Sequence, residues 1–127
     1  MPYITNIEKA TLENNTFRTV LYTAKHSQLV LMSLLPNEEI GEETHSLDQF
    51  LRFEKGAGKV ILDGIESVVA DGDAVLVPAG TRHNVVNTSS DAPLKLYTIY
   101  SPPDHKEGTV HATKADALAD THDHFEE

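Results

Sequence analysis

The chain has 127 residues and 39% apolar content, the size of one domain with material for a core that needs no covalent staples. It contains no cysteine, which excludes disulfides, thiolate metal sites and cysteine nucleophiles. A formal charge of −10 argues against nucleic acid or an anionic membrane surface as partner, while a bound cation could still attract a small anion into a pocket.

The first residues, Met1 to Lys9, lack the basic start and apolar core of a signal peptide, so a cytoplasmic protein is expected. The longest apolar stretch, Leu29 to Leu35, is interrupted by Ser33 and is too short to span a bilayer. Strands are expected at Phe17 to Ala24 and Gln28 to Leu35, both rich in Leu, Val, Thr and aromatics. A Glu-rich segment follows, Pro36 to His45. Further short strands are expected at Gln49–Glu54, Lys59–Asp63, Ile65–Val69, Ala74–Val77, His83–Asn87 and Leu94–Ser101. Asp63-Gly64 marks a hairpin, because a type I′ turn needs positive φ at both central residues. Other breaks fall at Gly56-Ala57-Gly58, Asp71-Gly72-Asp73 and Pro78-Ala79-Gly80. In the tail, Thr113 and Asp116 resemble a capping box for a short helix from Lys114 to about Ala119, and Asp120 to Glu127 reads as frayed. Many short strands at regular spacing indicate a sandwich or barrel.

Strand parity selects the first chemistry-bearing group. Glu43 and His45 are two residues apart and Gln49 lies four further on, so in an extended segment all three face one side. Such a set is costly to desolvate without a partner, and a metal ion would partner all three. Asp48 replaces Gln49 if the register slips by one residue. His83 opens a new strand after the turn at Pro78 to Thr81 and could bring a fourth ligand. His26, His105 and His111 have no partner at ligand spacing and are expected at the surface or an interface. Asn87 is expected to be a structural hydrogen-bonder. Tyr22, Tyr97, Tyr100 and Arg52 could reach a substrate or simply pack on a strand face.

These residues carry a family resemblance. The second motif of the cupin superfamily runs Gly, five residues, Pro, one residue, Gly, two residues, His, three residues, Asn, and Gly72, Pro78, Gly80, His83 and Asn87 match it throughout. The first motif is matched in spacing by Asn37, Glu43, His45, Gln49 and Gly56, but Asn37 replaces its opening Gly, Glu43 a His, and Gln49 the Glu. The chain thus resembles a small stand-alone cupin, and its ending from Leu94 to Pro103 is similar to the mannose-6-phosphate isomerase-like group.

The resemblance implies an all-β double-stranded β-helix, the cupin jelly-roll barrel, with a short C-terminal helix or tail. One domain is expected over residues 1–127, with its barrel core at about 17–101 and the tail at 102–127. The implied cofactor is one divalent ion on Glu43, His45, Gln49 and His83. That mixed nitrogen and oxygen set suits manganese, iron, nickel or zinc better than copper(I). Four protein ligands leave coordination positions for a substrate or water. A metal-dependent enzyme acting on a small sugar-like or carboxylate substrate is expected, by isomerase, lyase or dioxygenase chemistry, with Glu43 as a possible general base. Gln49 in place of a carboxylate would raise the charge at the metal and strengthen it as a Lewis acid. The alternative is a non-catalytic module that binds a small molecule such as a sugar. A homodimer is implied by the resemblance, and Pro2 to Leu12 is a candidate cover for an exposed sheet edge.

Overall fold

Alternation of apolar and polar residues places the strands, and the computed structural model, which describes residues 2–123, realises every expected strand to within two residues. They are β1 (Arg18–Thr23), β2 (Gln28–Leu34), β3 (Asp48–Lys55), β4 (Ala57–Leu62), β5 (Ile65–Ala70), β6 (Ala74–Val77), β7 (His83–Asn87) and β8 (Leu94–Ser101). Three further elements are α1 (Ile7–Glu13), β9 (Val110–His111) and α2 (Lys114–Ala119). The Asp63-Gly64 turn has φ of 48° and 84°, as a type I′ hairpin requires.

Two antiparallel sheets face each other. The larger runs β6-β3-β8-β2-β1-β9 and the smaller β5-β4-β7. Their sequence order crosses between sheets, which is the jelly-roll arrangement, and the core lies between them. The period of two is explicit on β3, where Gln49, Leu51 and Phe53 are buried and the residues between them are less so. On β8 the same parity turns Leu94, Leu96, Thr98 and Tyr100 inward. Phe53, Leu34, Leu94, Leu96 and Val30 are fully buried and form the centre of the core with Met32 and Leu51. Burying a Leu- or Phe-sized side chain contributes roughly 1.5–3 kcal/mol each.

Strand β2 departs from alternation: Leu31 and Ser33 are buried along with Val30, Met32 and Leu34. Helix α1 supplies the reason, because it packs against β8, β3 and β2 on the outside of the larger sheet. Of the segment Pro2 to Leu12, the helical part from Ile7 therefore lies across a sheet face and not along an edge. The edge of β1 is paired by β9 through Arg18↔His111 and Thr19↔Val110. Asn6 caps α1 by accepting from the Lys9 backbone N–H at 3.1 Å. Lys95, on the outer face of β8, is buried against the segment after α1, and its ammonium donates to the Asn14 carbonyl and to Asn15 Oδ1.

The tail is part of the fold. Thr113 caps α2 by accepting from the Asp116 N–H at 3.1 Å, as the capping pattern predicts. Ala117 packs against the barrel core. Asp123, expected to be frayed, is 3% exposed. The expected fraying of His124 to Glu127 falls outside the described residues.

Two motif positions explain themselves by backbone conformation. Gly56 has φ of 115°, and a Cβ there would stand 2.7 Å from the Pro93 carbonyl oxygen. Asn37, where the family motif has Gly, has φ of 63°, a left-handed conformation that Asn tolerates better than other side-chain-bearing residues. The departure at Asn37 therefore keeps the local geometry.

Candidate metal centre

The site begins with a backbone bridge. Glu43 and His83 exchange both hydrogen bonds, Glu43 N–H to His83 O at 2.8 Å and His83 N–H to Glu43 O at 2.9 Å. This clamps the Glu-rich segment onto the start of β7. The turn before β7 is held too, because the Gly80 N–H donates to the His45 carbonyl at 2.8 Å. Glu43, His45 and His83 each offer one ligand atom, all within 4.8 Å of one another. The two imidazole centroids lie 5.1 Å apart, and His45 Nε2 is 3.8 Å from Glu43 Oε2.

The hydrogen bonds orient the donors. His83 Nδ1–H donates to the Thr81 carbonyl at 2.9 Å, which leaves the Nε2 lone pair inward. His83 Nε2 is buried with no hydrogen-bond partner, and so is His45 Nε2. Gln49 is 4% exposed; its Nε2 donates to Thr98 Oγ1 at 3.0 Å, and its Oε1 is buried without a partner. Buried polar atoms are satisfied in nearly all native structures, so three orphans on one inward face call for a shared partner. Two imidazole nitrogens, one amide oxygen and one carboxylate fit a divalent ion of intermediate hardness. Asp48 is exposed and its Oδ1 accepts from the Ala79 N–H at 2.9 Å, so the one-residue offset does not occur.

Tyr100 sits opposite Gln49 in the β3–β8 ladder, and its ring meets His45 edge-on at 6.0 Å. Burial pushes its phenol far above the ordinary value, so it is a hydrogen-bond donor at any physiological pH. The other residues named as possible substrate contacts face elsewhere. Arg52, on the outward parity of β3, pairs with Glu54 at 2.9 Å, and Tyr22 stacks on Tyr3 at 4.8 Å. Tyr97 lies 6.3 Å from Phe50, ring to ring. Asn87 is the structural hydrogen-bonder expected, donating to the carbonyls of Leu34, Leu35 and Ala92 and accepting from the Ser89 N–H.

A second polar cluster lies behind the first. His105 and His111, expected at the surface, are 1% and 3% exposed. His26 alone of the three is exposed. His111 Nδ1 accepts from Arg18 Nη1–H at 3.2 Å, and His111 Nε2–H donates to Asp120 Oδ2 at 3.0 Å. That bond holds the Asp120 carboxyl below the usual carboxylate range. His105 Nδ1–H donates to Asp123 Oδ1 at 2.6 Å, and His105 Nε2 lies 3.4 Å from the Tyr100 hydroxyl. Burial lowers the His105 pKa, with the Asp123 hydrogen bond opposing that shift. His111, Asp120 and Asp123 also lie within a metal's reach of one another, yet Arg18 Nη1 stands 3.8 Å from Asp123 and both His111 nitrogens are engaged. The guanidinium already does there what a cation would do.

Sequence reasoning missed Arg18, although its parity with Val20 on β1 puts it on the inward face. A cleft of about 130 Å³ opens between the barrel and α2, lined among others by Arg18, Glu43, Lys114 and Asp123. Glu43 thus belongs both to the metal-competent group and to the lining of this cleft.

Comparisons with known proteins agree with this fold. Residues 30–100 match the cupin domain family, and the chain belongs to it. An uncharacterized Bacillus subtilis protein, YrkC, is 54% identical, covering 93% of this chain and 67% of its own length. An uncharacterized protein of Acanthamoeba polyphaga mimivirus is 44% identical, with 85% and 70% covered. This chain spans about two thirds of the length of both. A Bacillus halodurans protein of known crystal structure is 49% identical and superposes with a TM-score of 0.92 over 94% of this chain and 96% of its own. The family match is to cupin domains at large and does not single out the mannose-6-phosphate isomerase-like group. Among the described residues no helix is long and apolar enough to cross a membrane.

Proposed function

We propose that the chain holds one divalent metal ion through Glu43, His45, Gln49 and His83 and acts as a metal-dependent enzyme on a small oxygen-rich substrate. The observation that carries this reading is the set of three buried atoms without partners, His45 Nε2, His83 Nε2 and Gln49 Oε1, beside the Glu43 carboxylate. The donor set suits manganese, iron, nickel or zinc. Such an ion supplies Lewis-acid polarisation of a carbonyl or hydroxyl oxygen, or redox chemistry if it is iron or manganese. Glu43 is the residue placed to move a proton, because its carboxylate borders both the metal-competent group and the cleft. Tyr100 and Thr98 position the site from β8, one behind His45 and the other on Gln49.

Isomerase or lyase chemistry through an enolate or enediol exchanges a carbon-bound proton with solvent, and dioxygenase chemistry consumes oxygen. The test is to load the protein with each metal and follow two readouts over a panel of sugar acids and keto acids: deuterium incorporation from heavy water and oxygen consumption. Metal-dependent turnover that falls by about a hundredfold or more in Glu43→Gln is expected. Saturable binding of a panel member by the loaded protein with neither readout would replace this reading with a non-catalytic binding module.

A homodimer is part of the same proposal. Edge strands β5 and β6 leave Ile65, Val68 and Leu76 exposed at 71%, 85% and 70%, and Val68 and Leu76 line a groove between these strands. Exposed apolar edges of this kind are normally covered. Sedimentation of the native protein as a dimer, and of Val68→Glu as a monomer, is the expected result.

A further inference from the structure

We infer that α2 is a strap across the end of the barrel, latched at Asp123, and that release of this latch opens the way past Glu43 to the metal-competent group. The inference rests on the metal reading above and adds how the site opens. His45 Nε2, His83 Nε2 and Gln49 Oε1 are sealed from solvent. Of the four residues only Glu43 is substantially open: its side chain is 32% exposed against 12% for His45, and His83 and Gln49 are buried. The way in therefore passes Glu43. Glu43 lines the cleft whose opposite wall is Lys114, Ala117 and Leu118 of α2. None of His45, His83 and Gln49 lines that cleft, so a movement must connect it to them.

The strap is tied at both ends and loose between them. Before α2, the Ala112 carbonyl accepts from the Phe17 N–H at 3.1 Å, and β9 pairs with β1. After α2, the Asp123 carboxylate accepts from His105 Nδ1–H at 2.6 Å and stands 3.8 Å from Arg18 Nη1, while its carbonyl accepts from the Lys106 N–H. Asp120 adds the bond from His111. Between these ties α2 buries no residue: Ala117 packs on the core from a half-buried position, and Leu118 is 75% exposed. A segment with so little apolar contact opens locally while the rest stays folded. Its hold is polar and concentrated on one carboxylate. That hold is also incomplete, because the Arg18–Asp123 pair is too long for a hydrogen bond and Arg18 Nε is buried without an acceptor.

The test uses the full chain loaded with the tightest-binding of Mn(II), Fe(II), Ni(II) and Zn(II) and follows two rates. One is tryptic cleavage after Lys114, inside the strap, and the other is release of the metal to excess EDTA. Cleavage after Lys59, on β4, is the control for unfolding of the barrel. Proteolysis of a locally opened segment tracks the population of its open form. Asp123→Asn removes the charge opposite Arg18 at constant size and should raise both rates by about tenfold. Metal affinity should stay within about twofold of native, and cleavage after Lys59 at least about tenfold slower than after Lys114. Asp120→Ala removes the outer tie to His111 and should raise both rates by about threefold. Faster cleavage after Lys114 with metal release unchanged overturns the inference and leaves the metal reading standing. So does cleavage after Lys114 that neither variant changes, and if Asp123→Asn does not fold, Asp120→Ala decides alone. A native chain that takes up none of the four ions overturns the metal reading and this inference with it.

Discussion

Two groups of histidines and carboxylates occupy this barrel, and they differ in what is left over. In the first, Glu43, His45 and His83 face one another with two imidazole nitrogens unspent and the Gln49 amide oxygen unspent beside them. In the second, His111, Asp120 and Asp123 are just as close, but Arg18 donates to His111, His111 donates to Asp120, and Asp123 accepts from His105. Proximity of ligand types is therefore common to both, but only the first leaves imidazole nitrogens unspent, at His45 Nε2 and His83 Nε2. A metal site is recognised by unmet ligand atoms, whereas in the ion-pair network the histidine nitrogens are taken by neighbouring side chains.

The sharpest way to break this comparison is to remove Asp123. It would leave the Arg18 guanidinium buried without its carboxylate, and breaking a buried pair costs about 3–5 kcal/mol. Asp123→Ala should lower the denaturant midpoint accordingly without changing metal stoichiometry. A loss below about 1 kcal/mol would mean that the network is not structural. The next effect belongs to the first group. Metal at a hundred times its dissociation constant should stabilise the native protein by about 2.7 kcal/mol. His83→Ala should abolish that increment, and a preserved increment would assign the ion elsewhere. Gln49→Glu should tighten metal binding by about tenfold, close to 1.4 kcal/mol, and weaken Lewis acidity. Unchanged affinity and rate would show that Gln49 is not a ligand.

The smallest effect is that of pH. Burial holds the His105 pKa in the fold below its ordinary value near 6.5, so the unfolded chain binds the proton more readily. Stability should then be full above about pH 6.5 and fall as pH drops from there toward the lowered native value. Asp120, also held low, adds a separate loss only below the ordinary carboxylate range. Thermal melts from pH 7.5 to 5.5 should show the first decline, flattened in His105→Gln. A midpoint that rises on acidification contradicts the assignment.

How much of this was legible in the sequence follows from the range of the forces involved. The strands were, because alternation and turn chemistry are local: Asp63-Gly64 requires its hairpin and Gln49-Leu51-Phe53 declares its inward parity. The inward facing of Glu43, His45 and Gln49 was legible for the same reason, since parity survives the bend at Ser46 to Leu47. Helix α1 was not foreseen, as seven residues give two turns and its buried surface is mostly borrowed from β2 and β8. Nor was the second cluster. Arg18 and Asp123 are over a hundred residues apart, and nothing local in Asp120 to Asp123 shows that it docks against β1. The tail looked frayed because its charges were counted as solvated, while one of them has a buried guanidinium for a partner.

The most direct measurement is the metal content of the protein purified without chelator, beside two double variants, His45→Ala/His83→Ala and His111→Ala/Asp120→Ala. One manganese, iron, nickel or zinc per chain is expected in the native protein and in the second variant, and none in the first, with all three folded by circular dichroism. A folded native protein without stoichiometric metal, or a metal lost only from the second variant, would contradict the assignment of the site to Glu43, His45, Gln49 and His83.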